Sequence, residues 1–350
     1  MFVVRFTSGL GNQMFQYCFY LLLKKLYPNA EVKADLTWFY AHNDHHGYEL
    51  QRIFGGAKGF ALSEASYREL FQVTGLVPNL CMPRDMLTWR DGAAYHGRHS
   101  VRSAQLFEEF RRYPNRILRE FTLKKRLPYY IDETGKAVIG AATVPEGSDD
   151  SKNNIDIYHT ITHLDTTKDY YFTGFWIEER YFGQVLSEAR EAFLFPELQD
   201  QENLQLKYDI LSTNAVSIHV RRGDYLTTYQ GQFKTLPREY YETAMDIVCA
   251  QTGLDRERLT FYIFSDDPDF VRSEFDFVEN KRIVSHNTGA ASFRDMQLMS
   301  LCKHNIIANS TFSQWAALLN PNEDSLTIYP RFYLKDKDSE IKSFPHWICI

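Results

Sequence analysis

The sequence predicts an α/β protein whose C-terminal half is built on a parallel sheet. Apolar strand-like runs alternate with amphipathic helical segments through that half. The chain also opens with a short apolar strand, a glycine turn and an apolar helix, an opening that nucleotide- or sugar-binding α/β units often show and that a merely structural turn gives equally. Hydrophobic residues make up 44% and charged residues 24%, a balance that supports a well-packed core and excludes wholesale disorder.

Residues 2–6 read as a strand, 9–12 (Gly9-Leu10-Gly11-Asn12) as the turn, and 13–26 as a largely buried helix. Residues 32–36 form the next strand, followed by a polar loop holding His42, Asp44, His45 and His46. Those residues lie in one loop with no helix to fix i, i+4 geometry and no thiol near in sequence, so the loop reads as solvated, with room for one functional histidine. Residues 60–130 carry mixed helical periodicity, 140–154 a polar loop, 171–176 an aromatic strand and 178–193 a helix. Residues 196–205 mark the crossing between two domains, 1–195 and 196–350, in keeping with the length. Beyond it come strands at 215–220, 259–264, 282–285 and 305–308, with helices at 237–250, 293–302 and 312–319. Ligands of such sheets bind at the carboxyl ends of the strands.

The formal charge of −6, from 39 basic and 45 acidic side chains, argues against a nucleic-acid partner but leaves room for a local arginine cluster holding an anion. The 22 tyrosines and 26 phenylalanines exceed what any one sugar site could use, so most are core. Five cysteines, odd in number and without a Cys-x-x-Cys pair, read as free thiols in a reducing compartment. The N-terminus lacks a signal-peptide pattern and no apolar run reaches the roughly 20 residues that span a bilayer. The expectation is a cytoplasmic protein without an integral span, with peripheral contact at the inner membrane face left open.

Three strands of the second half end in polar clusters. The first is His219-Val220-Arg221-Arg222-Gly223-Asp224, in which a histidine and guanidinium forks suit phosphate oxygens; its plain alternative is an Arg–Asp pair closing a turn. The second, Ser265-Asp266-Asp267-Pro268-Asp269, offers carboxylates for guanine or ribose; Asp267 and Asp269 also spell the DxD pattern of metal-dependent transferases, frequent by chance in an acidic chain. The third, Asn309-Ser310-Thr311-Phe312, gives a helix a natural N-cap and its N-terminus a set of free N–H groups for an anion.

In sequence order, these segments resemble glycosyltransferase family 11, the bacterial α-1,2-fucosyltransferases. The likeness extends to Gly9-Leu10-Gly11-Asn12-Gln13-Met14-Phe15-Gln16-Tyr17, His46-Gly47-Tyr48-Glu49-Leu50 and Gly174-Phe175-Trp176 with Glu179-Arg180-Tyr181-Phe182. Downstream, Asp295-Met296-Gln297-Leu298-Met299-Ser300 and the 304–313 segment complete it, and the central HxRRxD signature stands at 219–224. The resemblance implies a GT-B-like fold, two Rossmann-like domains facing a cleft, with the donor in the C-terminal domain and the acceptor chiefly on the N-terminal one. It implies GDP-fucose as donor, a galactose-terminated oligosaccharide as acceptor, inversion at the anomeric carbon, and neither cofactor nor obligatory metal.

By the same resemblance, Arg221 faces the β-phosphate, His219 orients the diphosphate or fucose, Asp224 holds the arginine fork, and Asn12 reaches toward the transferred sugar. Gly11, Gln13, Arg222, Ser265, Asp266, Asp267, Asn309, Ser310, Thr311 and Phe312 complete the donor side, and Tyr48 and Trp176 the acceptor side. For the general base, spacing and motif do not choose among His46, Glu49 and Asp224. Two departures bear on acceptor preference: Gln314-Trp315-Ala316-Ala317-Leu318 replaces the family's Trp-Trp-Gly-Ala-Trp, and Ile177 replaces a glutamine. The rivals are a metal-dependent GT-A transferase using Asp267 and Asp269, and a glycan-binding homologue of weak activity.

Overall fold

The computed structural model describes residues 1–40, 45–74, 130–133, 138–139, 157–227, 233–333, 341, 344 and 346–350. His42, Asp44, Cys81, the loop at 140–154 and most of the 60–130 stretch lie outside them. The chain divides into two compact units, Met1–Leu194 and Phe195–Ile350.

The first unit holds strands β1 (Phe2–Arg5), β2 (Val32–Asp35), β3 (Tyr130–Asp132), β4 (Val138–Ile139) and β5 (Tyr170–Thr173) in the order β2-β1-β5-β3-β4. All pairs are parallel except β3 with β4. Phe2, Val3 and Val4 are buried in succession, as expected of a parallel strand covered on both faces. The helix Leu10–Leu26 starts three residues before the hydrophobic pattern suggests, with Gly9 at its N-cap preceded by Ser8, which takes a left-handed φ of 65°. Lys24 and Lys25 in its last turn complement the negative end of the dipole. Inside the unit Phe19 stacks face to face on Trp176, with ring centroids 3.8 Å apart.

Two expectations here are modified. The helix expected over 178–193 is broken into Glu179–Phe182, a 3-10 turn Gly183–Val185, and Leu186–Ala192, with the weak helix former Gly183 at the break. Strand β5 stops at Thr173 rather than 176, because Gly174 (φ 155°) and Trp176 (φ 58°) leave the extended conformation.

The second unit is a six-stranded, all-parallel sheet of β6 (Ala215–Val220), β7 (Thr260–Ser265), β8 (Lys281–Val284), β9 (His304–Ile306), β10 (Thr327–Tyr329) and β11 (Ile348–Cys349), in the order β11-β10-β9-β6-β7-β8. The chain runs outward from β6 through β7 to β8, then returns to the other side of β6 for β9, β10 and β11. That reversal puts a topological switch point at the carboxyl ends of β6 and β9. Val216, Ile218 and Val220 pack with Phe261 and Ile263 against Tyr241, Ala244, Met245 and Val248 of the helix Arg238–Thr252. Gly253, at φ 68°, ends that helix in the left-handed conformation a side chain would oppose. The helix expected over 293–302 ends at Met299, whose carbonyl accepts a hydrogen bond from Asn305 Nδ2 at 2.9 Å.

No helix among the described residues is long and apolar enough to cross a membrane. The described cysteines, Cys18, Cys249, Cys302 and Cys349, are free thiols.

Candidate active site

The carboxyl ends of β6, β7 and β9 gather the second unit's polar clusters. Arg221, just past β6, donates from Nη2 to Asp224 Oδ2 at 2.7 Å, and its Nη1 lies 2.9 Å from Asp266 Oδ2 at the end of β7. Its guanidinium also lies 5.7 Å from the centre of the Tyr225 ring. Two carboxylates therefore hold one fork, and the fork is only partly exposed. Arg222 is fixed as firmly. Its backbone N–H donates to Asp266 Oδ1 at 2.9 Å, its Nε donates to Asp267 Oδ2 at 3.2 Å, and its guanidinium lies 3.4 Å from the Phe270 ring centre. Gly223 is needed for close approach: a Cβ there would meet Asp266 Oδ2 at 2.9 Å.

His219 on β6 is 5% exposed and tilts 5.8 Å from the Phe312 ring. Burial, and then the Arg221 charge, lower its pKa to about 4, so the imidazole is neutral near pH 7. Its Nδ1 and the Asp224 Oδ1 are buried with no hydrogen-bond partner among the described residues. A neutral imidazole and an unfilled carboxylate oxygen beside a guanidinium make a site with hydrogen-bonding capacity still to satisfy.

Several expected donor residues carry the frame of this site. Ser265 Oγ donates to the Val220 carbonyl at 2.8 Å and accepts the Asp267 N–H at 3.0 Å, tying β6 to β7. Asp267 caps the helix Pro268–Glu274 by accepting the Phe270 N–H at 3.2 Å, and the exposed Asp269 pairs with Arg272 at 2.6 Å. Both carboxylates of the DxD pattern are thus engaged in local cap and ion-pair contacts. Among the described residues, no group of three or more histidine, cysteine, aspartate or glutamate side chains is placed to hold a metal ion.

Ser310 caps the helix Thr311–Leu318 by accepting the Phe312 N–H, placing Thr311 and Phe312 in its first turn. Asn309 donates from Nδ2 to the carbonyls of Lys234 and Tyr333, while its own carbonyl accepts the Tyr225 hydroxyl at 2.7 Å. Gln314 and Ala316, two positions at which the 314–318 segment departs from the expected family pattern, are fully buried. That departure changes the packing of a core helix rather than an open surface.

Asp295, in the Asp295–Ser300 motif, accepts from Asn287 Nδ2 at 2.9 Å, and burial pushes its carboxyl up to about 7.

In the first unit, the helix Leu10–Leu26 fastens three loops with two glutamines. Gln13 donates from Nε2 to the Ser8 and Gly47 carbonyls, each at 2.8 Å, and accepts the Glu49 N–H at 2.9 Å. Gln16 accepts the Thr7 N–H at 2.9 Å and donates to the Thr7 hydroxyl and to the Gly174 carbonyl at 3.0 Å. Gly11 is buried in the first turn, and the side chain of the partly exposed Asn12 beside it makes no hydrogen bond to the described residues.

Of the base candidates here, Glu49 is buried and accepts from Arg52 Nη2 at 2.6 Å. His46 reaches solvent, and desolvation of its ring, then the Arg52 charge, hold it below its ordinary 6.5. Tyr48 packs against Phe6 and Phe39 in the core. Trp176, expected on the acceptor side, is 0% exposed, while its neighbour Phe175 is 42% exposed. A tryptophan at φ 58° costs about 1–3 kcal/mol, so the surroundings hold it there.

Sequence reasoning did not single out Gln16, Tyr225, Phe270 or Glu133. Gln16 stands within the opening motif and Tyr225 directly follows the arginine cluster; Phe270 and Glu133 sit far along the chain from what they touch.

Residues 150–350 match glycosyl transferase family 11. Among curated proteins the chain is 36% identical over 139 residues to the O-antigen biosynthesis glycosyltransferase WbnK of Escherichia coli, covering 39% of this chain and 45% of that one. It is 34% identical over 179 residues to an alpha-1,2-colitosyltransferase of Escherichia coli (49% and 58% covered). To galactoside alpha-(1,2)-fucosyltransferase 1 of Oryctolagus cuniculus it is 27% identical over 193 residues (51% of each). The chain spans about half the length of the curated relatives it matches. With more than half of its residues matched, including the whole arginine–carboxylate cluster at the switch point, the chain belongs to glycosyl transferase family 11.

Proposed function

We propose that the chain is an inverting α-1,2-fucosyltransferase that moves L-fucose from GDP-fucose to the 2-hydroxyl of a terminal β-galactose, without a metal ion. The observation that carries this reading is Arg221, a guanidinium fork held by Asp224 and Asp266 at the sheet's switch point in a chain of this family. A fork so placed suits a diphosphate, and stabilises the charge that builds on GDP as the bond from the anomeric carbon to the β-phosphate oxygen breaks. The acceptor 2-hydroxyl forms the new bond from the opposite face and gives up its proton.

Neutral His219 hydrogen-bonds the diphosphate or the fucose. Phe312 and the Ser310-capped helix end close the donor side, with Asn309 and Asp267 holding the frame. Asn12 serves the transferred sugar. His46, neutral and open to solvent, suits the general base better than Glu49, which is committed to Arg52. A colitosyl donor is the second reading, favoured by the name of one relative.

The test is transfer from GDP-fucose to lactose in EDTA, with the product identified by mass and NMR linkage. An α-1,2-fucosyl trisaccharide, lost in Arg221→Ala, is the expected result. Transfer that requires Mn²⁺ would favour the metal-dependent reading. Failure on a panel of galactosides, with GDP not binding by calorimetry, would favour the glycan-binding one.

A further inference from the structure

The turn after β5 presents one aromatic ring outward by an elaborate local device. Gly174 leaves β5 at φ 155°, its carbonyl held by Gln16, and Trp176 at φ 58° turns its indole inward to stack on Phe19. Between them Phe175 stays exposed. In a regular strand successive side chains would take opposite faces and the chain would continue straight; here the left-handed residue re-aims it.

The turn is fixed from β3, one strand away. Glu133, directly after β3, accepts the Phe175 N–H at 2.6 Å. Its approach is so close that a Cβ on Gly174 would meet Glu133 Cβ at 2.5 Å. The glycine, the left-handed tryptophan and the carboxylate therefore form one rigid mount for the Phe175 ring. The mount stands at the carboxyl edge of the first unit's sheet. Gln16 links it to the β1 turn, one residue past which the helix bearing Asn12 begins.

We infer that Phe175 is a stacking platform for the acceptor sugar, with Glu133 as the residue that positions it. This rests on the proposed function, in which the first unit faces the acceptor. A phenyl ring has no hydrogen-bonding group, so its exposed face suits an apolar patch of ligand. A β-galactoside offers one, because its axial 4-hydroxyl leaves the opposite ring face lined with C–H groups. The charged diphosphate of GDP does not match this surface, and a guanine ring stacked there instead would show as a selective rise in donor KM.

The experiment measures steady-state transfer to lactose, and lactose binding by saturation-transfer NMR, in the full chain. Phe175→Ala should raise the lactose KM by roughly fivefold to tenfold, the worth of an aromatic stacking contact. kcat and the GDP-fucose KM should stay within about twofold, and Phe175→Tyr should restore the acceptor KM. Glu133→Gln should raise the acceptor KM in wild type but add nothing in the Phe175→Ala background, which a merely structural role would not produce.

An unchanged lactose KM in Phe175→Ala, a selective rise in donor KM, or a fall in kcat alone would overturn the inference. So would equal saturation transfer in Phe175→Ala and wild type, or none in wild type. If wild type binds lactose through Phe175 but does not use GDP-fucose, the donor assignment fails and the platform stands.

Discussion

Arg221 reaches across the β6–β7 pair to Asp266, Nη1 to Oδ2 at 2.9 Å, so the guanidinium that would meet the diphosphate is aimed from the neighbouring strand. Arg221→Ala is expected to lower transfer by a factor of about 10²–10³, the range for loss of a charge-stabilising donor. Asp266→Ala should also weaken GDP binding, by freeing the fork and the Arg222 backbone together. Calorimetry with GDP and initial rates check both; full GDP affinity in Asp266→Ala would show that this carboxylate does not aim the arginine.

His219 ties stability to pH. Its pKa falls from 6.5 to about 4 on folding, so between those values the unfolded chain binds the extra proton. The stabilisation is complete above about 6.5 and is lost as pH falls through about 4. Urea unfolding of wild type and His219→Gln from pH 7 to 4.5 should show the wild type losing more stability as pH drops. Parallel curves would count against a neutral buried imidazole.

Asp295 works in the opposite direction. Burial raises its carboxyl from 3.8 to about 7, so the folded state keeps a proton that the unfolded chain releases across that window. Its contribution is greatest at the acid end and declines as pH rises through about 7. Asp295→Asn, which keeps the shape without the charge, should therefore gain stability relative to wild type as pH climbs from 5 to 8. A constant difference between the two melting curves over that range would refute this.

Gln13 holds three backbone groups of two loops. Gln13→Ala leaves the Ser8 and Gly47 carbonyls and the Glu49 N–H without this partner, with an expected loss of about 2–4 kcal/mol from unsatisfied buried groups. Urea denaturation followed by tryptophan fluorescence measures it. A loss below about 0.5 kcal/mol would mean that the loops hold themselves.

The second unit was the more legible in sequence. Its parallel strands are buried on both faces: Phe261 to Phe264 form a continuous apolar run, all six residues of β6 are buried, and the polar residues that follow mark the strand ends. The arginine cluster could be found because its partners lie at the next strand end. What Asp266 and Asp267 hold could not be read, since a carboxylate looks the same facing a guanine or a guanidinium. Trp176 and Phe175 were harder still: which ring turns inward is decided by a left-handed backbone and by Glu133, some forty residues away. The burial of Gln314 was equally hidden, because a polar side chain gives no sign of a core position until its helix is packed.

The two glutamines have a consequence for how such a protein diversifies. Gln13 and Gln16 sit three residues apart on one helix, and between them they grip the Thr7–Ser8 turn, the 47–49 segment and the end of β5. Loops pinned to a common spine cannot drift separately. New preferences on this unit would therefore arise by exchanging the side chains mounted on a fixed chassis, such as position 175, whereas lengthening any one loop would have to break the clamp that holds the others.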